Sequence, residues 1–145
     1  MDNLTPEQRR KNMQRIRSTG TKAERLMMDE LRNRGLVFGT YDKSVAGKPD
    51  IVFCEKKVAV FVDSDFWHGN PKRFVRPKTN VEYWDRKIAG NKKRDREVNR
   101  QLKKQEWKVI RVWEYDVKHS LNRCVDKVLK ELKVNPDISW KKILS

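Results

Sequence analysis

"PDIVFCEKKVAVFV", residues 49–62, reads as two β-strands and the turn between them. "PDIVF" (49–53) and "KVAVFV" (57–62) are rich in Val, Ile and Phe, which suit a pleated, half-buried surface. A charged stretch around Glu55 and Lys56 separates them. With the turn at Glu55–Lys57, residue 50 pairs with residue 62, because the turn centre fixes the register. Asp50 then sits beside Val62 and next to Asp63. The chain continues as "DSDFWHGN" (63–70): two acids, two large aromatics and a histidine where a strand runs out into a loop.

Helical patterns flank this hairpin. Residues 22–34 carry Ala23, Leu26, Met27 and Leu31 near one face and stop at Gly35. "TKAE" (21–24) matches a capping box at the start of that helix. Residues 81–104 read as one long helix with an inward stripe at Val81, Trp84, Ile88, Asn91, Asp95, Val98 and Leu102, spaced alternately by three and four. "EWKVIRVW" (106–113) is a further strand, and residues 121–132 form another amphipathic helix. Helices before and after a small sheet give an α/β class with a mixed sheet. A short basic helix over residues 5–17 has only Met13 and Ile16 as apolar surface and needs a partner to order. The expected organisation is a basic N-terminal unit (1–20), a catalytic domain (21–134) and a C-terminal tail (135–145).

The charge balance narrows the partner. Of 145 residues, 37% are apolar and 38% charged, and the formal net charge is +15. Such an excess points to a polyanion, most simply nucleic acid. No apolar run approaches the ~20 residues a membrane helix needs, and no signal-peptide pattern is visible, so a cytoplasmic location is expected. Cys54 and Cys124 are far apart and read as small buried hydrophobes, not as a disulfide framework or zinc cluster.

Four positions carry chemistry. A carboxylate at Asp50 beside a strand-end carbonyl, with Asp63 in reach, suits a hard cation such as Mg²⁺; a Pro-Asp turn ahead of a strand is the commoner account of such a residue taken alone. His68 returns to the same end of the sheet, where an imidazole can take a proton from water at neutral pH, or it is a loop histidine without a role. Asp95 is a polar member of an apolar stripe and needs a partner if buried; an imidazole would serve. Glu24 is explained locally by the capping box, and a second duty at a metal requires its helix N-terminus to face the sheet end. Phe66, Trp67 and Trp84 are planar rings near basic loops and can stack on bases or wedge between them.

The order of Met13 in a basic helix, "TKAE", "GKPDIVF", "VAVFV", "FWHG", "PKTNVEYWDRKIAGNKKRD" and "WKVIRVWE" resembles the very-short-patch-repair (Vsr) DNA mismatch endonucleases over roughly residues 8–132. The resemblance implies a restriction-endonuclease-like fold: a small central mixed β-sheet flanked by helices, preceded by the basic helix. It implies a Mg²⁺-dependent enzyme that nicks one strand of double-stranded DNA at a T:G mismatch, acting as a monomer and associated with the nucleoid when bound. Asp50 and the Val62 carbonyl would hold the metal, with Asp63 a further acid beside it. His68 would work on the attacking water, Asp95 would orient it, and Glu24 would join the water network. Met13, Phe66, Trp67 and Trp84 would intercalate. Arg9, Arg10, Arg15, Arg17, Lys72, Arg73, Arg76 and Lys78 would meet phosphates. The family's zinc ligands are cysteines and a histidine around "FWH" and after "WE"; Asp65, Asn70–Pro71 and Tyr115 stand there in this chain, so no structural zinc is expected and Asp63 or Asp65 pairing with Lys72, Arg73 or Arg76 would hold the loop. Related homing endonucleases share the acid, acid, histidine, acid order without zinc, which leaves a site-specific endonuclease open. A non-catalytic DNA-binding module and an RNA-directed protein are the other readings.

Overall fold

A computed structural model of the protein describes residues 20–133. The basic helix expected over 5–17, with Met13, Arg9, Arg10, Arg15 and Arg17, and the tail 135–145 lie outside the described residues. In chain order the elements are α1 (Lys22–Asn33), β1 (Gly39–Thr40), β2 (Ile51–Phe53), β3 (Val58–Asp63), α2 (Val81–Lys104), β4 (Lys108–Trp113), α3 (Glu114–His119) and α4 (Leu121–Glu131). The four strands form one mixed sheet in the order β1-β2-β3-β4, with the first two pairings antiparallel and β3–β4 parallel. Among the described residues no helix is long and apolar enough to cross a membrane.

Strand alternation divides the interior into two layers. Val58 and Val60 of β3 join Ile110 and Val112 of β4 in the larger cluster, packed against Met27 and Leu31 of α1 and Val125 and Val128 of α4. Ala59 and Phe61 point the other way and pack with Val109, and with Val98 and Leu102 of α2. The even residues of β3 therefore face α1 and α4, and the odd ones face α2. Asp63, the last residue of β3, continues the odd series and emerges beneath α2.

The long-helix stripe is seen as read: every stripe residue is buried or half-buried, whereas the neighbours on the opposite face are exposed. α1 opens on the capping box of Thr21 and Glu24. It closes at Gly35, whose φ of +81° lets the Leu36 N–H reach the Leu31 carbonyl at 3.1 Å.

Three expectations are corrected. The hairpin register is Ile51↔Val60 and Phe53↔Val58, one residue from the expected pairing of 50 with 62. The turn takes four residues, Cys54–Lys57, closed by Lys57 N–H donating to the Cys54 carbonyl at 3.3 Å, with Lys57 at φ +53°. Cys54 consequently leaves the strand and is exposed, while Cys124 is buried in the core. The strand expected from 106 begins at Lys108; Glu106 has φ +67° and turns the chain out of α2. Neither β1 nor α3 was anticipated, each being too short to show a period.

Candidate active site

Past the C-terminal end of β3 a cavity of about 290 Å³ gathers Glu24, Asp50, Asp63, His68, Asp95 and Arg111. The elements bring them there for separate reasons. α1 points its N-terminus at the sheet end, so Thr21 and Glu24 line the cavity while keeping the helix cap. Asp50 precedes β2, and its Oδ2 accepts the Val62 N–H at 2.7 Å. Asp50 and Val62 thus meet despite the shifted register, through the Val62 amide and the Asp50 side chain. After Asp63 the chain makes a helical turn, with His68 N–H donating to the Ser64 carbonyl at 3.1 Å, and this returns His68 to the sheet end. Gly69, at φ +61°, passes so close to α2 that a Cβ there would lie 2.8 Å from Ile88.

α2 supplies two of its stripe's polar members to the loop. Asn91 Nδ2 donates to the Trp67 carbonyl at 2.9 Å. His68 Nδ1 donates to Asp95 Oδ2 at 2.5 Å, which fixes the ring and leaves Nε2 as the acceptor. Burial opposes the charged imidazole, but the Asp95 hydrogen bond and the charges of Asp63 and Asp95 outweigh it, and His68 titrates above its ordinary value. Asp63 is pushed up by burial, against the pull of His68 and Arg111. Asp50 is pushed up to about 8, by burial first, against the Val62 N–H, with Glu24 and Asp63 adding repulsion. Tyr41 reaches about 12, raised by burial and by its hydrogen bond to Glu24, and its hydroxyl accepts the Gly20 N–H at 2.8 Å.

The acids fall into two groups. Asp63, His68 and Asp95 place one ligand atom each within 4.8 Å of one another, a spacing that could hold an ion. Arg111, however, already donates to Asp63 at 3.0 Å and lies 3.5 Å from Asp95. Glu24 and Asp50 have no lysine or arginine paired with them among the described residues. Two adjacent carboxylates with no ion-paired lysine or arginine among the described residues suit a hard, oxygen-seeking cation, so the donor set at Asp50 fits a divalent ion.

The rings form one aromatic cluster beside the cavity. Phe66 and Trp67 meet edge-on at 5.2 Å between centroids, and Trp84 lies 5.4 Å from Phe66 and 5.7 Å from Trp67. Trp67 is only 7% exposed, whereas Phe66 and Trp84 are half-buried and Tyr83, 5.0 Å from Trp84, is exposed.

A sequence model described as DNA mismatch endonuclease Vsr matches residues 1–73. The chain is 42% identical over 141 residues to Type II nicking enzyme V.NmeDIP of Neisseria meningitidis serogroup C, covering 96% of this chain and 95% of that protein. It is 41% identical over 120 residues to Type II nicking enzyme V.HpaIIP of Haemophilus parainfluenzae, covering 81% of this chain and 85% of that one. The DNA mismatch endonuclease Vsr of Escherichia coli K12 is 34% identical over 124 residues, covering 85% of this chain and 79% of its own length. The chain belongs to the Vsr family. It is a DNA endonuclease, and its four-stranded sheet with flanking helices is the restriction-endonuclease-like α/β fold.

Within this Vsr-family chain the loop after β3 is held by polar contacts, though not by the pairs expected. Asn70, 4% exposed, donates through Nδ2 to Asp65 Oδ1 at 2.9 Å and accepts the Lys72 N–H at 3.1 Å. Glu114 accepts the Asp65 N–H at 3.0 Å and ties the loop to the end of β4. The Arg73 guanidinium lies 3.7 Å over the Tyr115 ring. Arg76 pairs with Asp85 of α2, and Asp63 pairs with Arg111 instead of Lys72, Arg73 or Arg76. Arg111, Glu114, Asn99 and Tyr41 were missed in the sequence. The one available signal was Arg111 itself, a charge inside an apolar strand on the face shared with Val109.

Proposed function

We propose that this DNA endonuclease is Mg²⁺-dependent and nicks one strand of duplex DNA at or near a T:G-like mismatch. The observation that carries the reading is His68, oriented by Asp95 at 2.5 Å, opening on the same cavity as the uncompensated acids Glu24 and Asp50. When bound by Asp50 and the Val62 carbonyl, Mg²⁺ would polarise the scissile phosphate and stabilise the departing oxygen. His68 Nε2 accepts a proton from the attacking water, and Asp95 stabilises the imidazolium that results. Glu24 accepts hydrogen bonds from water at the same acid pair.

The aromatic cluster divides the labour of opening the duplex. Phe66, Trp67 and Trp84 wedge into a base step as one packed group, Phe66 and Trp84 half-buried and Trp67 buried against both. Stacking is worth about 1–3 kcal/mol per base, and a mismatched step costs less to open than a paired one. Lys72, Arg73, Arg76 and Lys78 from the loop, with Arg9, Arg10, Arg15 and Arg17 ahead of α1, meet phosphates, and Met13 enters from the opposite groove. A nick instead of a double-strand break agrees with the names of the nicking-enzyme relatives.

The test is a panel of labelled duplexes bearing each mismatch, uracil or none, incubated with and without Mg²⁺. The wild type should nick one strand of the T:G duplex in Mg²⁺ alone, and His68→Ala should bind that duplex without cutting it. Cleavage of paired duplexes at the same rate would replace the mismatch reading with a site-specific endonuclease. No cleavage of any duplex would leave a binding module.

A further inference from the structure

We propose that Arg111 is the resident cation of the Asp63–His68–Asp95 cluster and a positioning residue for His68, so that Asp63 is a structural acid and not a ligand of the divalent ion. The inference deepens the metal reading above and rests on it for the role of Asp50.

The strands dictate the arrangement. β3 and β4 run parallel, with Phe61 opposite Arg111 and Asp63 opposite Trp113. Phe61, Asp63 and Arg111 therefore share the face beneath α2. The stem of Arg111 is fixed by stacking, with its Cζ 4.1 Å from the centre of the Phe61 ring. Its Nε donates to Asn99 Oδ1 at 2.8 Å, which sets the plane of the fork. Its Nη1 then reaches both Asp63 oxygens, at 3.0 and 3.3 Å, and lies 3.5 Å from Asp95 Oδ1. Asp95 has its other oxygen, Oδ2, on His68 Nδ1. One guanidinium thus anchors both acids that flank the imidazole, and it does so from a side chain held at three points.

The same geometry decides against a metal there. Among the described residues, Asp63, His68 and Asp95 are the one group of three histidine, cysteine or carboxylate side chains close enough to share an ion. A divalent ion among them would stand at contact distance from a fixed positive charge and would have to displace a hydrogen-bonded fork. Asp63 is 8% exposed at its side chain, and a buried carboxylate of this kind persists because it is paired. His68 Nε2 is 3.9 Å from Asp63 Oδ1, beyond a hydrogen bond. Arg111 thereby keeps Asp63 off the nitrogen that faces the reaction. Lysine could neutralise one acid but could not meet Asn99, Asp63 and Asp95 together.

The experiment titrates Mn²⁺ into the metal-free full chain by calorimetry, for wild type, Asp50→Asn, Asp63→Asn and Arg111→Met. Asp63→Asn should bind Mn²⁺ as the wild type does, while Asp50→Asn loses about tenfold or more in affinity. Arg111→Met should gain an extra, weaker Mn²⁺ equivalent, which the double variant with Asp63→Asn loses again. In single-turnover nicking, Arg111→Met should lose about 10–100-fold in rate with duplex affinity kept, and Arg111→Lys should recover part of it. An Asp63→Asn protein whose Mn²⁺ affinity falls as far as that of Asp50→Asn overturns the inference, and so does an Arg111→Met enzyme that nicks at the wild-type rate. Asp63→Asn is nearly isosteric and decides the metal question even where Arg111→Met does not fold. Unaltered Mn²⁺ binding in both Asp50→Asn and Asp63→Asn would sink the Asp50 site alone and leave Asp63 with Arg111.

Discussion

Two carboxylate pairs share one cavity, and the fold treats them in opposite ways. Asp63 and Asp95 are bridged by Arg111 and flanked by His68. Glu24 and Asp50 form no ion pair with a lysine or arginine among the described residues, although Lys48 and Arg94 line the same cavity, and Asp50 is driven up to about 8. A compensated pair is architecture: it fixes side chains and leaves little attraction for an outside ion. An uncompensated pair is a standing cost, relieved by a proton or by a cation. The division of the site into a part that holds the base and a part that holds the metal comes from where one arginine was placed.

The largest expected effect comes from removing the uncompensated charge. Asp50→Asn should abolish Mg²⁺-dependent nicking, by about 1,000-fold or more if several kcal/mol of charge stabilisation are lost. The same change should stabilise the metal-free protein. The folded pKa of Asp50, about 8, lies above its ordinary 3.8, so the native state binds more protons than the unfolded chain between those values. That contribution is fully present below about 4 and is lost as pH rises through about 8. At pH 8 without metal the variant should melt above the wild type, and the gap should close on acidification. Equal melting temperatures at every pH would show that Glu24 and Asp50 are compensated after all, and the comparison would collapse.

A smaller effect tests the other pair. His68 titrates above its ordinary value because the Asp95 bond and the charges of Asp63 and Asp95 overcome burial. A general base works when neutral, so the rate should fall as pH drops through the folded pKa of His68, which lies above its ordinary value. Asp95→Asn should move that acid limb to lower pH and slow nicking by about 10–100-fold. An acid limb that stays in place in the variant would mean that Asp95 packs against His68 without governing its proton.

How much of the fold and site was legible depended on the length and regularity of each signal. α2 was readable to its ends because seven stripe positions repeat over 24 residues, and Asn91 and Asp95 stood out as polar members of an apolar series. The convergence of Asp50, His68 and Asp95 on one cavity was therefore foreseeable in outline. The hairpin register was missed by one residue because a four-residue turn with Lys57 at φ +53° has no strong sequence signature outside glycine or asparagine. The contact of Asp50 with Val62 survived that error only because a side chain, not the ladder, makes it. Arg111 could not be paired in advance. Its partners, Asp63, Asp95 and Asn99, lie on two other elements, and only the parallel pairing of β3 with β4 brings them together.

The smallest effect separates two duties of one residue. Glu24 completes the helix cap: its carboxylate accepts the Thr21 N–H at 3.1 Å and the Thr21 hydroxyl, and Thr21 Oγ1 accepts the Glu24 N–H at 3.3 Å. Tyr41, held protonated with its pKa near 12, adds a hydrogen bond from the other side. Glutamine keeps an acceptor oxygen for the cap, so Glu24→Gln should cost less than about 1 kcal/mol of stability. What glutamine removes is one of the two charges beside Asp50. If Glu24 belongs to the uncompensated pair, Glu24→Gln should weaken Mn²⁺ binding and slow nicking while its melting temperature in the absence of metal stays near that of the wild type. Glu24→Ala should lose both, since the cap goes with the charge. A Glu24→Gln enzyme with wild-type metal affinity and rate would confine Glu24 to the start of α1, and Asp50 would then be the one acid of the pair that serves the metal.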